Sequence, residues 1–127
     1  MIVLDASVLI AYLNGSDRHH AKAKSLLESL SSEQWGTSSV TLAETLVHPA
    51  RAGRLDEAEA VLVSLDLREL LSGGGAPGRM AEMRAEMGIK MPDCCVLIAA
   101  QDNDATVASF DVGLLSAARK LGLNTAS

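Results

Sequence analysis

Short apolar runs alternate along this chain with longer segments whose apolar residues recur every three or four positions. Ile2-Val3-Leu4 has the composition of a strand, and Ala6 to Leu13 has helical spacing that Asn14-Gly15 stops. His19 to Leu30 sets Ala23, Leu26, Leu27 and Leu30 on one helical face, and Trp35-Gly36-Thr37 reads as a brief strand. A helix from about Ser39 to Ala52 follows, strained or kinked by Pro49, and Leu55 to Leu65 gathers Ala58, Val61, Leu62 and Leu65 on one side. Leu67 to Leu71 alternates like a strand.

Ser72 to Gly78, with four glycines and Pro77, is the one stretch of flexible composition, and it leads into a helix from about Arg79 to Met87 that Gly88 can cap. Pro92 suits the first turn of the next helix, which carries Val96, Leu97, Ala99 and Ala100 and ends near Asp102-Asn103-Asp104. Thr106 to Ser109 reads as a strand, Val112 to Leu121 as a helix stopped by Gly122, and Leu123 to Thr125 as a last strand. Short apolar strands between amphipathic helices predict an α/β sandwich around a parallel sheet. At 127 residues the chain can bury one full core, so residues 1–127 are read as one domain.

Four acids interrupt this apolar framework: Asp5, Glu44, Asp93 and Asp111. Each lies at or near the start of a predicted helix, where a carboxylate can cap free N–H groups and meet the positive end of the dipole. Asp5 and Asp111 can cap the first and last helices, Thr41-x-x-Glu44 matches a capping box, and Asp93 sits in a first turn. The topology offers a second reading. Asp5 and Asp111 each end a strand, and ligands of parallel sheets bind outside the carboxyl ends of strands. Glu44 can reach the same edge, whereas Asp93 follows a helix, so the pattern alone does not bring it there. For any one acid both readings stand open. Gathered together, an all-oxygen donor set suits a hard divalent cation acting on phosphate, and the crowded carboxylates would hold protons above their usual range as a coupled set.

Composition narrows the possible partners. Hydrophobic residues make up 48% of the chain but aromatics only 2%, which disfavours base-stacking platforms and leaves the backbone as the way to recognise a nucleic acid. The net charge of -5 opposes a polyanionic partner. Without the four acids, however, 12 carboxylates face 11 cationic side chains, and a bound divalent ion would have the same effect, so RNA or DNA stays compatible. Cys94 and Cys95 are adjacent, which suits neither an ordinary bridge nor a zinc site, and they read as small buried filler in a reducing compartment. No basic leader or membrane-length segment is present in the sequence, and a cytoplasmic protein is expected.

Competing chemistries lack their residues. His19 and His20 read as solvated and His48, before Pro49, as packed or exposed; Ser7 has no paired base, and Ser72-Gly73-Gly74-Gly75 does not continue into a phosphate-binding Gly-Lys-Ser/Thr.

The order and spacing of four segments resemble the PIN-domain ribonucleases, in particular the small VapC-type toxins of bacterial toxin-antitoxin pairs. Ile2-Val3-Leu4-Asp5-Ala6-Ser7-Val8-Leu9 resembles the family's apolar strand followed by Asp-x-Ser/Thr, and Ser39-Val40-Thr41-Leu42-Ala43-Glu44 its helix bearing a Glu. Met91-Pro92-Asp93 with Leu97-Ile98-Ala99-Ala100 resembles the third acidic segment, and Ala108-Ser109-Phe110-Asp111 with Gly113-Leu114-Leu115 the fourth. Two departures are mild: Ser109 stands where many relatives have Thr, and Gly113 where some have another acid.

The resemblance implies a PIN-like three-layer sandwich whose central, mostly parallel sheet is flanked by helices. It also implies an Mg²⁺-dependent endoribonuclease, with Mn²⁺ able to substitute. Asp5, Glu44, Asp93 and Asp111 would be its catalytic metal ligands, and Ser7 would support them. A cognate antitoxin and a homodimer come with the same resemblance. Lys90, Arg51 and Arg54 are the better candidates for RNA contacts and Arg18 and Lys22 the weaker, although a solvated charged face explains each as well. The alternative from another class is a catalytically silent PIN-fold binding module acting through a partner interface. A phosphatase of haloacid-dehalogenase type would need a second Asp where Ser7 stands.

Overall fold

The strand β1 (Ile2–Leu4) has side chains that point alternately to the two faces of a sheet, and both faces are dry. Val3 packs into a cluster with Val96, Leu97, Val107, Leu114 and Ala118, while Ile2 and Leu4 join Val8, Leu9, Leu26, Leu27 and Leu62 in a second. A strand buried on both sides is a continuous apolar run rather than an alternating one, which is why three residues suffice to mark it.

The computed structural model describes residues 1–127, in twelve elements. After β1 come α1 (Ala6–Leu13), α2 (His20–Ser29), β2 (Trp35–Ser38), α3 (Ser39–Arg51) and α4 (Leu55–Ser64). Then follow β3 (Arg68–Leu70), α5 (Ala76–Met87), α6 (Met91–Asp102), β4 (Thr106–Ala108), α7 (Val112–Lys120) and β5 (Thr125–Ala126). The strands form one sheet in the order β3-β2-β1-β4-β5 with every neighbouring pair parallel. The sheet is therefore wholly parallel, where a mostly parallel one was expected. Helices α5, α6 and α7 supply the cluster on one face, and α1, α2 and α4 the cluster on the other, giving the three-layer α/β sandwich. No helix is long and apolar enough to cross a membrane.

Two boundaries differ from the sequence reading by more than one residue. Helix α5 begins at Ala76, three residues before the expected start, because Pro77 falls in its first turn, where a missing N–H costs nothing, and Gly75 enters it at φ 77°. Strand β5 begins at Thr125 rather than Leu123, since Leu123 N still bonds to Ala118 O at the end of α7 and the chain first meets the sheet at Asn124, whose carbonyl accepts Val107 N. Pro49 lies inside α3 only two residues from its end, so little of the helix follows the lost hydrogen bond.

In a wholly parallel sheet all carboxyl ends share one edge, so Asp5 after β1, α3 after β2 and Ser109 to Asp111 after β4 emerge together. Helix α6 supplies what the sequence pattern could not. It packs against β1, β2 and β4, and only Asn103 to Ala105 separate its end from the start of β4. A helix of 12 residues is about 18 Å long, so its first turn, with Asp93, returns to the carboxyl edge.

At that edge Thr37, wholly buried, donates its hydroxyl to Leu4 O at 2.6 Å, one peptide before Asp5. Thr37→Val keeps the volume and removes the donor. It should lower stability by about 1–3 kcal/mol, the cost of a buried carbonyl left without a partner, as read from urea denaturation.

Candidate metal centre at the carboxyl edge of the sheet

Asp5 is the most enclosed of the four acids, only 8% exposed, and a buried carboxylate needs donors. It has them. Ser7 Oγ and Ser109 Oγ each lie 2.7 Å from Asp5 Oδ2, and Ser7 N is 3.4 Å from the same oxygen, which makes Asp5 the N-cap of α1. The direction of these bonds follows from the backbone. Phe110 N donates to Ser7 Oγ at 3.0 Å and Asp111 N to Ser109 Oγ at 2.9 Å, so both hydroxyls accept from amides and send their single protons to Asp5. The start of α1 and the turn after β4 are thereby tied to one carboxylate oxygen. Asp5 Oδ1 accepts no hydrogen bond, and since no buried side-chain oxygen lacks a partner, it reaches solvent.

Asp111 follows the same plan from the other side of the turn. Its Oδ1 accepts Gly113 N at 2.8 Å and Leu114 N at 3.1 Å, capping α7, and the residue is otherwise exposed. Capping and ligation are thus compatible at both positions, since each cap uses one oxygen and leaves the other.

Glu44 is not a cap. The N-cap of α3 is Ser38, whose Oγ accepts Thr41 N at 3.1 Å and pairs with Thr41 Oγ1 at 3.0 Å. Thr41 is therefore wholly buried inside the helix, the expected Thr41-x-x-Glu44 box does not form, and Glu44 projects exposed from the middle of α3. Asp93 is half-buried in the first turn of α6.

The proton affinities of Glu44 and Asp93 link the four acids. Partial burial, then the charges of Asp5 and Asp93, push the Glu44 carboxyl above its ordinary value, while Lys90 opposes the shift. Partial burial, then the charges of Asp111 and Asp5, raise Asp93, and Lys90 again opposes. Each acid therefore stands in the field of at least one other. Even so, no three His, Cys, Asp or Glu side chains are disposed to hold an ion together. The acids sit within Coulomb range of one another without converging on one point. The donor set still suits Mg²⁺ or Mn²⁺, because Mg²⁺ keeps several waters and takes only one or two carboxylates, and a cation would relieve the repulsion that raises Glu44 and Asp93.

Ser7 lies where the sequence reading puts it, beside Asp5. Ser109, read there only as a departure from Thr, is wholly buried and joins Asp5 to the Asp111 backbone; its signal was the Ser-x-Asp spacing directly after a strand. Lys90 is the N-cap residue of α6 and acts on both raised acids, whereas Arg51 and Arg54 are exposed and ion-paired to nothing. Arg54 shares with Glu44 and His48 an open groove of about 510 Å³ between α1, α3 and α4. His19 and His20, read as solvated, are half-buried instead: His20 Nδ1 lies 2.9 Å from Ala11 O, and the His19 ring lies 5.5 Å from that of Phe110. Both cysteines are free, and burial raises both thiols, which argues against a nucleophilic role.

Comparison with known proteins agrees with this architecture. A family model described as the PIN domain matches residues 2–120. No curated protein sequence matches the chain. Among solved structures, VapC20 from Mycobacterium tuberculosis, described as a sarcin-ricin loop cleaving toxin, superposes with a TM-score of 0.78 at 21% identity over 92% of this chain and 95% of its own. FitAcB from Neisseria gonorrhoeae gives 0.76 at 22% over 100% and 97%, and DNA-bound VapBC from Salmonella typhimurium 0.71 at 17% over 98% and 96%. These likenesses are of fold.

Two outcomes test the geometry. Ser109→Ala leaves Asp111 N without its acceptor and Asp5 with one hydroxyl fewer, and should cost about 1–3 kcal/mol in urea denaturation. For Asp93, a folded-state pKa above the ordinary 3.8 means that the native state binds more protons than the unfolded one, so its charge lowers stability as pH rises through that window. In chelator, the stability of Asp93→Asn relative to the unchanged protein should therefore grow from pH 4 to pH 7 in thermal melts. A difference that is flat or shrinks over that range contradicts the mutual repulsion.

Proposed function

The chain belongs to the PIN-domain family, and from that premise we propose that residues 1–127 act as one domain, a divalent-metal-dependent endoribonuclease of the VapC toxin type. The observation that supports this most is the meeting at one sheet edge of four acids from four separate segments, close enough that their charges help to raise the proton affinities of Glu44 and Asp93. An edge where four carboxylates gather beside a single lysine suits a cation and, through it, a phosphate.

In this reading Asp5, Asp93, Asp111 and Glu44 hold Mg²⁺, or Mn²⁺ in its place. When bound, the ion supplies Lewis-acid neutralisation of the scissile phosphate and acidifies an attacking water. The protein's own residues supply position. Ser7 and Ser109 fix Asp5 Oδ2 and leave Oδ1 free, the α7 cap does the same for Asp111, and Glu44 presents an exposed carboxylate from the middle of α3. Lys90 beside the acids offers a cation to the RNA backbone, and Arg51 and Arg54 along α3 and the groove are further contacts. Several relatives were crystallised as toxin-antitoxin assemblies, among them a toxin-antitoxin complex from Klebsiella pneumoniae, which supports a cognate antitoxin as the partner of this chain. The protein works in the cytoplasm, as a homodimer.

A catalytically silent PIN-fold binding module is the second reading, favoured by the absence of any ready three-donor arrangement. Cleavage of total RNA in Mn²⁺ separates the two. The nuclease reading expects cleavage that a chelator abolishes, with Asp5→Asn and Asp93→Asn each losing about 100-fold or more, consistent with several kcal/mol of transition-state stabilisation, while circular dichroism stays unchanged. A well-folded protein that leaves RNA intact at every Mn²⁺ concentration favours the binding module.

A further inference from the structure

Phe110 lies in the chain between Ser109 and Asp111, and its N–H is the donor that fixes Ser7. Its half-buried ring is a seat for residues at the start of α2 and just before it. Lys22 Nζ stands 4.9 Å from the ring centroid, the His19 ring is 5.5 Å away and tilted by 39°, and Arg18 Nε donates to His19 Nε2 at 3.2 Å. The turn that positions Asp5 and Asp111 therefore also positions Lys22 directly and Arg18 through His19.

Neither cation is committed elsewhere. The ion pairs of the chain are Met1–Glu33 and Arg79–Asp102, and the cation that eases Glu44 and Asp93 is Lys90. Lys22 also stands in the first turn of α2, which contains no acid and which a cation does not favour. A cation held on an aromatic face keeps its ammonium hydrogens free. With its ring already occupied by Lys22 and His19, Phe110 is an anchor and not a platform for a base. What this cluster can recognise is an anionic backbone oxygen.

We propose that Lys22 and Arg18 bind a phosphate of the RNA strand next to the one that is cut, as a positioning pair fixed by Phe110 beside Asp5 and Asp111. This rests on the nuclease reading and places both residues above the weaker standing they have on sequence alone. The contact is to phosphate, so it sets the register of the strand without selecting a base.

The test compares Lys22→Met, which keeps an unbranched side chain against the ring and removes the charge, with Lys22→Arg, Arg18→Gln and the control Lys24→Met. Lys24 is exposed on α2, so its substitution changes the net charge equally from another position on the helix. Cleavage of a single-stranded RNA in Mn²⁺ should show KM raised several-fold for Lys22→Met and Arg18→Gln with kcat nearly constant, and Lys22→Arg should restore KM. In the non-cleaving Asp93→Asn background, fluorescence anisotropy should show the slope of log affinity against log salt reduced by about 0.7 for each phosphate-binding cation removed. Lys24→Met should leave both readouts in place. A cleaving wild type whose Lys22→Met variant matches Lys24→Met in KM and salt slope overturns this inference alone, whereas a wild type that cleaves no RNA overturns the nuclease reading together with it.

Discussion

A carboxylate that is nearly out of water has to be met by donors, and the donors that Asp5 recruits decide how the edge of this sheet is built. Both come from hydroxyls that are themselves fixed by backbone amides, one in the first turn of α1 and one at the end of β4. Through those bonds the first and fourth strands of the chain are held in register just where the sheet ends, and the free oxygen of Asp5 is given a single direction. Asp111 takes its position from the same turn, so the geometry of two acids more than a hundred residues apart rests on one polar knot.

The remaining two acids arrive by packing. Helix α3 carries Glu44 because Ser38 and Thr41 cap and bury its start against the sheet, and α6 carries Asp93 because its apolar body is clamped between α3, α5 and the central strands. The cores on the two faces, built from aliphatic side chains and alanine, supply the free energy that keeps four like charges at one edge. The raised proton affinities of Glu44 and Asp93 are the sign of that opposition. Strain of this kind concentrates where a ligand is meant to relieve it.

Much of this was legible in the sequence for physical reasons that can be named. Strands buried on both faces leave apolar runs, helices leave a spacing of three and four, and Asp5 and Asp111 stand at strand ends where a parallel sheet places its ligands. Glu44 and Asp93 were harder. Thr41 imitates a capping residue, and only the hydrogen bond from its N–H to Ser38 Oγ shows that Ser38 is the cap and Glu44 is left free, while Asp93 reaches the edge through the length and direction of α6, which no local pattern contains. The seat on Phe110 was invisible for the same reason: its partners lie some ninety residues away, and polar side chains near a helix start look like solvated surface until the ring they rest on is known.

Helix α6 has one further consequence. Its stretch from Val96 to Ala100 is buried throughout and leaves no polar side on which to slide. Such a rod transmits displacement along its whole length: a shift of a single residue in register moves its tip by about 1.5 Å, enough to misalign Asp93 while each apolar neighbour is merely exchanged for a similar one. Because six residues of one core cluster belong to this rod, the same packing that holds the sheet covered also sets the place of the Asp93 carboxylate.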